Sequence, residues 1–327
     1  MRRRLCISAL LAAGLTAGLT WAPAAHAAVQ VTNPVSLTSG FYVNPDNSAA
    51  VWAAANPGDG REPAIQSAIA TKPSALWFAG SGSENIAEAT GAYVGAAAYW
   101  NQLPVLVAYN IPGRDVCAGQ SSGGAASDAA YDSWINLFAV GIADRPAVVI
   151  LEPDALADES CMASAAISDR DGLLNNAITQ FTEQAPETSV YLDAGNPGWI
   201  PAATMAGYLN SAGLARAHGF SVNVSSFYTV AQNVAYGNAV NADLSAAYGY
   251  TKPFVIDTSR DANGSNNNQW CNPDGMKLGP TDQVGGGAEM LLWIKDPGES
   301  DGNCGTGGGT VAGQFNPQLA YDLVYGY

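Results

Sequence analysis

The sequence predicts an α/β fold, a β/α barrel of seven or eight strands in a single domain, and three observations predict it. The first is a series of short apolar, β-branched runs, at 75–79 (ALWFA), 104–109 (PVLVAY), 147–151 (AVVIL), 189–193 (SVYLD), 221–224 (SVNV), 254–257 (FVID) and 290–294 (MLLWI). A further candidate lies at 41–43. Runs apolar on both faces read as strands of a parallel sheet covered on each side. The second is the Ala-rich stretches of helical spacing between them, for example at 127–143, 162–184, 201–217 and 230–248. Strand and helix alternate along the whole chain, and seven or eight such units close into a barrel. The third is that ionisable residues follow the strands: Arg114 and Asp115, Glu152 and Asp154, Asp193, Asp257, and Lys295. The C-terminal ends of barrel strands carry active sites, so this pattern gathers polar groups at one mouth.

From the amino terminus, Arg2, Arg3 and Arg4 precede an apolar stretch over 5–21, and Ala25-His26-Ala27 supplies a small-x-small cleavage site. That is the pattern of a secretory signal peptide over 1–27, which leaves 28–327 as the mature, secreted chain. No later run is apolar for long enough to span a bilayer. Losing the three leader arginines leaves ten basic residues against 28 acidic, a net charge of −18. Such a surface repels nucleic acid and anionic membranes and suits a neutral polymer. Cys6 lies in the leader; Cys117, Cys161, Cys271 and Cys304 remain. In an exported chain they imply two disulfides with three possible connectivities, and Cys117–Cys161 with Cys271–Cys304 is the preferred one. No CxxC spacing argues for zinc.

Histidine is nearly absent. His26 leaves with the leader, so His218 stands alone. Multi-histidine metal sites are excluded, no metal or cofactor is expected, and acid–base chemistry falls to carboxylates, tyrosine or lysine. Two long segments, 258–283 (Asn- and Gly-rich, with Trp270) and 296–313 (Gly-rich), are of a length usually reserved for function.

Five segments then carry a resemblance, in order along nearly the whole mature chain. They are Tyr-Asn-Ile-Pro-Gly-Arg-Asp at 109–115, Leu-Glu-Pro-Asp at 151–154, Tyr-Leu-Asp-Ala-Gly at 191–195, Ile-Asp-Thr-Ser-Arg at 256–260 with Trp-Cys-Asn at 270–272, and Trp-Ile-Lys-Asp-Pro-Gly-Glu-Ser-Asp-Gly at 293–302. Together they resemble glycoside hydrolase family 6, the cellobiohydrolases and endoglucanases. The resemblance implies the distorted barrel of those cellulases and inverting cleavage of β-1,4-glucans such as cellulose.

Glycoside hydrolysis requires a protonated carboxyl to donate to the leaving oxygen and a second group to activate water. Asp154, after a doubly apolar strand and beside Pro153, is the candidate acid, since burial and a neighbouring carboxylate raise a carboxyl pKa. The resemblance implies that Asp115 is that neighbour and helps order water, and that Asp301 matches the family's proposed base. Arg114 is expected to keep Asp115 charged. By resemblance, Lys295, Glu299 and Asp193 bind sugar, Tyr109 presses on the ring beside the scissile bond, and Trp199 and Trp270 are stacking platforms. Trp52, Trp77, Trp100 and Trp134 are expected to serve in packing. Three positions depart from the family pattern: Asn196 replaces a histidine, Ser226 an asparagine, and Val116 is interposed between Asp115 and Cys117. The first two touch sugar-binding positions. The resemblance implies that cellobiohydrolases of the family roof their site with loop insertions, for which this chain has little length, so the reading favours an endo-acting enzyme, expected as a monomer. An exo-acting cellobiohydrolase and a non-catalytic β-glucan-binding protein are the alternatives.

Overall fold

The computed structural model describes residues 32–80 and 85–327; the leader expected over 1–27 lies outside them. Seven parallel strands run in sequence order around the sheet: β1 (Leu76–Phe78), β2 (Val105–Ala108), β3 (Ala147–Leu151), β4 (Thr188–Asp193), β5 (Gly219–Val222), β6 (Phe254–Asp257) and β8 (Met290–Leu292). A two-residue strand, β7 (Gln283–Val284), pairs antiparallel with β8 at the sheet's edge. No ladder joins β1 to β8; the two ends meet through Ala75 N–H donating to Trp293 O, 2.9 Å, and Trp77 Nε1 donating to Ile294 O, 2.7 Å. The barrel is distorted there, and residues Thr32–Tyr327 form one compact unit.

Side chains alternate across the strands, as a two-residue period requires. Val105, Val107, Val148, Ile150, Tyr191, Val255, Met290 and Leu292 fill the barrel interior. Leu106, Ala108, Val149, Leu151, Leu192, Phe220 and Ile256 face the helices. Both faces of β2 and β3 are fully covered, which explains their unbroken apolar sequences.

The helices are α1 (Ser48–Ala55), α2 (Glu62–Ile65), α3 (Ile86–Tyr99), α4 (Asp128–Ile142), α5 (Ser164–Gln184), α6 (Ala202–Ser211), α7 (Val230–Tyr248) and α8 (Pro317–Tyr325). Their starts are chemically marked. Ser127 caps α4 by accepting from Ala130 N–H, and Thr229 and Gln232 form a capping box on α7, satisfying donors that the first turn leaves free. The end of α7 falls at Gly249, φ +78°, in the left-handed region that glycine adopts without steric cost.

Several boundaries differ from expectation for local reasons. The run at 41–43 makes only a single parallel bridge, Phe41 to Leu103; Pro45 follows and has no N–H to extend a ladder. The run at 290–294 ends as a strand at Leu292 because carboxylates take the next donors. Asp282 Oδ1 accepts from Trp293 N–H (2.7 Å), and Asp257 Oδ2 accepts from Lys295 N–H (3.0 Å). β5 ends at Val222 because Asn223 and Ser225 adopt φ of +69° and +56°. The helix expected over 201–217 stops at Ser211, before Gly213 at φ +91° and a short 3-10 turn, Leu214–Arg216.

Candidate active site

The loops leaving the C-terminal ends of the strands enclose a cavity of about 550 Å³. Asp115, Asp154, Asp301, Tyr109, Arg114, Asn196, Trp199, Trp270, Lys295 and Glu299 all line it. These residues come from loops far apart in sequence, so only the curled sheet brings them together.

Buried carboxylates staple these loops. Glu152, at the end of β3 and 1% exposed, accepts from the N–H groups of Asn110 and Ile111 at 2.9–3.0 Å. Asp257, fully buried at the end of β6, accepts from Ser225, Ser259 and Lys295 N–H. Asp193, at the end of β4, accepts from Asp154 N–H (3.0 Å), Gly195 N–H (3.2 Å) and Ser221 Oγ (3.1 Å). Burial pushes Glu152 up to about 7 and Asp193 up to about 6, because the charged form loses its hydration. Asp193, expected as a sugar ligand, does not reach the cavity. It is 2% exposed and lies beneath Asp154, with its oxygens engaged by the backbone.

Asp154 sits at φ +70° and Asp115 at φ +54°. Aspartate tolerates this region better than most residues. Burial drives Asp154 well above the ordinary carboxylate range, and the charges of Asp193, Asp158, Asp115 and Asp301 push it the same way. Asp115 Oδ2 accepts from Ser121 N–H (2.5 Å) and Ser121 Oγ (3.2 Å). Ser121 Oγ also lies 3.1 Å from the Tyr109 hydroxyl. Arg114, expected to keep Asp115 charged, makes no hydrogen bond or ion pair with it among the described residues. Arg114 instead donates to the carbonyls of Ser121, Ala79 and Tyr109 at 2.5–2.8 Å, and its guanidinium lies 4.6 Å from the Tyr109 ring centre. Adjacent residues in this turn project in different directions, so neighbours in sequence are not partners in space.

Asp301 has a different environment. Its Oδ2 accepts from Arg260 Nη1 at 2.8 Å and from Asn272 N–H at 3.0 Å, while Asn272 Oδ1 accepts from Asp301 N–H at 2.9 Å. Arg260 is 4% exposed, lies over Phe227 and also donates to Ser225 O. Glu299 Oε1 accepts from Ser48 Oγ, 2.7 Å.

The two tryptophans expected as stacking platforms are open to solvent, Trp199 at 36% and Trp270 at 45%. Gly198, beside Trp199 in sequence, leaves room for the Tyr228 hydroxyl, which a Cβ there would overlap. Trp77, expected to serve only in packing, also lines the cavity, with Lys295 Nζ 5.7 Å from its ring centre and Tyr109 edge-on at 5.3 Å. Its place inside an apolar run disguised it. Arg260, Ser121, Tyr228, Asn268 and Gln269 are further site residues not singled out from sequence. The motif at 256–260 ends on Arg260, which was the available signal for that one.

Both long segments form walls of the cavity, and each disulfide ties two walls. Cys117–Cys161 joins the loop after β2 to the turn after β3, with Cα atoms 5.7 Å apart; Cys271–Cys304 joins the two long segments at 5.9 Å. This is the connectivity expected from sequence. Asn196 Oδ1 accepts from Gly198 N–H (3.0 Å), and Ser226 lines the cavity.

The family model described as glycosyl hydrolases family 6 matches residues 37–326. The chain belongs to this family. Endoglucanase 1 of Streptomyces halstedii is 61% identical over 306 residues, covering 94% of each chain. Endoglucanase A of Thermobispora bispora is 38% identical over 324 residues, 97% of this chain and 69% of that one. Among solved structures, the endoglucanase Cel6 of Mycobacterium tuberculosis, in complex with methyl-cellobiosyl-4-deoxy-4-thio-β-D-cellobioside, superposes with a TM-score of 0.81. It is 38% identical and covers 90% of this chain and 99% of its own. The fold expected from sequence, a distorted barrel of this family, is the fold found.

Proposed function

We propose that this protein is a secreted endo-β-1,4-glucanase that hydrolyses cellulose or a related β-glucan with inversion, with Asp154 as the general acid. The observation that carries the acid assignment is the environment of Asp154: a carboxyl facing the cavity, surrounded by four other carboxylates and raised by burial. A carboxyl raised in this way holds its proton more tightly than a free aspartic acid and can deliver it to a leaving glycosidic oxygen. Family membership and the endoglucanases among its relatives support the substrate and the endo mode.

In this reading a glucan chain lies along the cavity, stacked on Trp199 and Trp270. Tyr109 and Trp77 bound the ring next to the scissile bond, and Lys295 and Glu299 bind its hydroxyls. Water attacks the opposite face of that ring. Asp115, linked through Ser121 to the Tyr109 hydroxyl, orders that water. Asp301 uses Oδ2 on Arg260 and Asn272, which leaves Oδ1 to contact water or the developing positive charge. Two disulfides fit an oxidising, extracellular setting.

The endo mode is tested by following the viscosity of soluble carboxymethylcellulose against released reducing ends. A steep viscosity fall at low conversion is expected. Cellobiose release with little loss of viscosity would show an exo-acting enzyme. Cello-oligosaccharide binding without any cleavage would show a binding protein on this scaffold.

A further inference from the structure

Beneath the paired aspartates lies a buried cluster that takes no part in the chemistry just described. Arg170, on α5, is 3% exposed and does not line the cavity. Its Nη1 donates to Ala155 O at 3.0 Å, and its Nη2 to Pro112 O at 3.2 Å and Gly113 O at 2.9 Å. Ala155 is the residue after Asp154, and Gly113 lies two before Asp115. One guanidinium therefore bonds the two loops that carry these aspartates.

A second tie runs in parallel. Asp158 Oδ2 accepts from Val116 N–H at 2.9 Å, and Asp158 N–H donates to Asp154 O at 2.8 Å. Asp158 Oδ2 stands 4.0 Å from Arg170 Nη1, and both side chains are almost wholly buried. Asp115 is thus gripped on each side, at Gly113 and at Val116. Asp154 is gripped at its own carbonyl and at Ala155. The grip is matched to a need, because Gly113, Asp115 and Asp154 all hold positive φ, and for the two aspartates that conformation persists only where surrounding contacts enforce it. Val116, the residue interposed between Asp115 and Cys117, supplies the N–H that Asp158 captures.

We propose that Arg170, with Asp158, is a positioning residue of the reaction: it sets the spacing and mutual orientation of Asp115 and Asp154 from below. The proposal rests on the reading of those aspartates as the catalytic groups. A rigid guanidinium fork suits this task, since its donors reach several carbonyls in a fixed geometry where an ammonium offers a single point charge. The alternative is that the cluster only stabilises the fold, and the two roles differ in their kinetic signature. A purely structural arginine would change melting and leave turnover of the folded enzyme intact. A positioning residue changes kcat, because misplacement of about 1 Å can cost roughly 100-fold.

The test uses the full chain with Arg170→Met, Arg170→Lys and Asp158→Asn, each checked for folding by circular dichroism and melting, with kcat and KM measured on cellohexaose. For Arg170→Met well below its melting point, a fall in kcat of about 10- to 100-fold is expected, with KM within about threefold of wild type. Arg170→Lys should recover part of that loss. If Arg170→Met does not fold, Arg170→Lys and Asp158→Asn carry the test through their kcat. Folded variants that melt lower but keep kcat within twofold of wild type would overturn the proposal and leave a structural role. Asp154→Asn serves as control: full activity in that variant would show that the catalytic reading itself fails, whereas an inactive Asp154→Asn beside fully active Arg170 variants would overturn the positioning role alone.

Discussion

Two aspartates face the same cavity from loops that follow different strands, β3 and β8, and they are built in opposite ways. Asp154 has no cation bonded to its carboxyl among the described residues, and burial together with Asp193, Asp158, Asp115 and Asp301 raises its pKa. Asp301 is clamped by Arg260 and by the backbone of Asn272. One residue type is thereby given two environments. The wall after β3 sets its aspartate among other carboxylates, and the wall after β8 bonds its aspartate to a buried guanidinium. The distinction is one of neighbours: a carboxyl surrounded by carboxylates differs from one bonded to a buried guanidinium.

The contrast between the walls is most exposed to test at Asp154. Asp154→Asn should reduce turnover of unactivated glucan by about 10²–10⁴-fold, the usual contribution of a general acid, while cello-oligosaccharide binding measured by calorimetry stays close to wild type. Turnover near wild type would remove Asp154 from that role.

On the other wall, Arg260→Met should act first on stability. Leaving Asp301 buried without its cation should cost about 3–5 kcal/mol, readable as a lower midpoint in denaturant melts. A midpoint unchanged from wild type would mean that the ion pair contributes nothing net. A smaller effect is expected at the platforms. Trp270→Ala should weaken cello-oligosaccharide binding by about 1–2 kcal/mol, roughly five- to thirty-fold in Kd, with kcat less affected; equal affinity would show that no sugar stacks there.

The gentlest probe is pH. Burial raises Asp193 to about 6, Glu152 and Asp261 to about 7, and Asp282 to about 8. Each binds its proton more tightly in the folded than in the unfolded state. Their stabilising contribution is therefore full below about pH 4 and lost as pH rises through 6 to 8. The melting temperature should fall steadily between about pH 5 and pH 8, and a rise across that range would contradict these assignments. With Asp154 as the proposed acid, activity should share the alkaline decline as its proton is lost.

Much of the fold was legible because doubly buried strands announce themselves as apolar runs; six of the parallel strands fall within such runs to within a residue, whereas β5 (Gly219–Val222) shares only Ser221 and Val222 with the run at 221–224. β7 carried no such signal: its two residues are exposed, and it exists because the three glycines at 285–287 fold it back on β8. Within the site, Asp115, Asp154 and Asp301 were legible because they lie in recognisable segments. Arg260 was not assigned a task because its partner stands 41 residues away, and nothing local joins them. Arg114 stands beside Asp115 in sequence, yet its donors go to the carbonyls of Ser121, Ala79 and Tyr109. Asp193 looked like a ligand because it ends a strand at the barrel mouth; fixing the backbone of Asp154 is the use its buried oxygens find. Contacts across the sheet decide these placements, and they exist only once the sheet has curled.

Inversion itself is read from the stereochemistry of the first product. Residues 28–327 would be incubated with cellohexaose and followed by proton NMR before mutarotation. The α-anomer should appear first, from water attacking the face opposite the bond that Asp154 protonates. The β-anomer first would mean a retaining mechanism with a covalent or substrate-assisted intermediate, and the roles assigned to Asp154, Asp115 and Asp301 would be wrong.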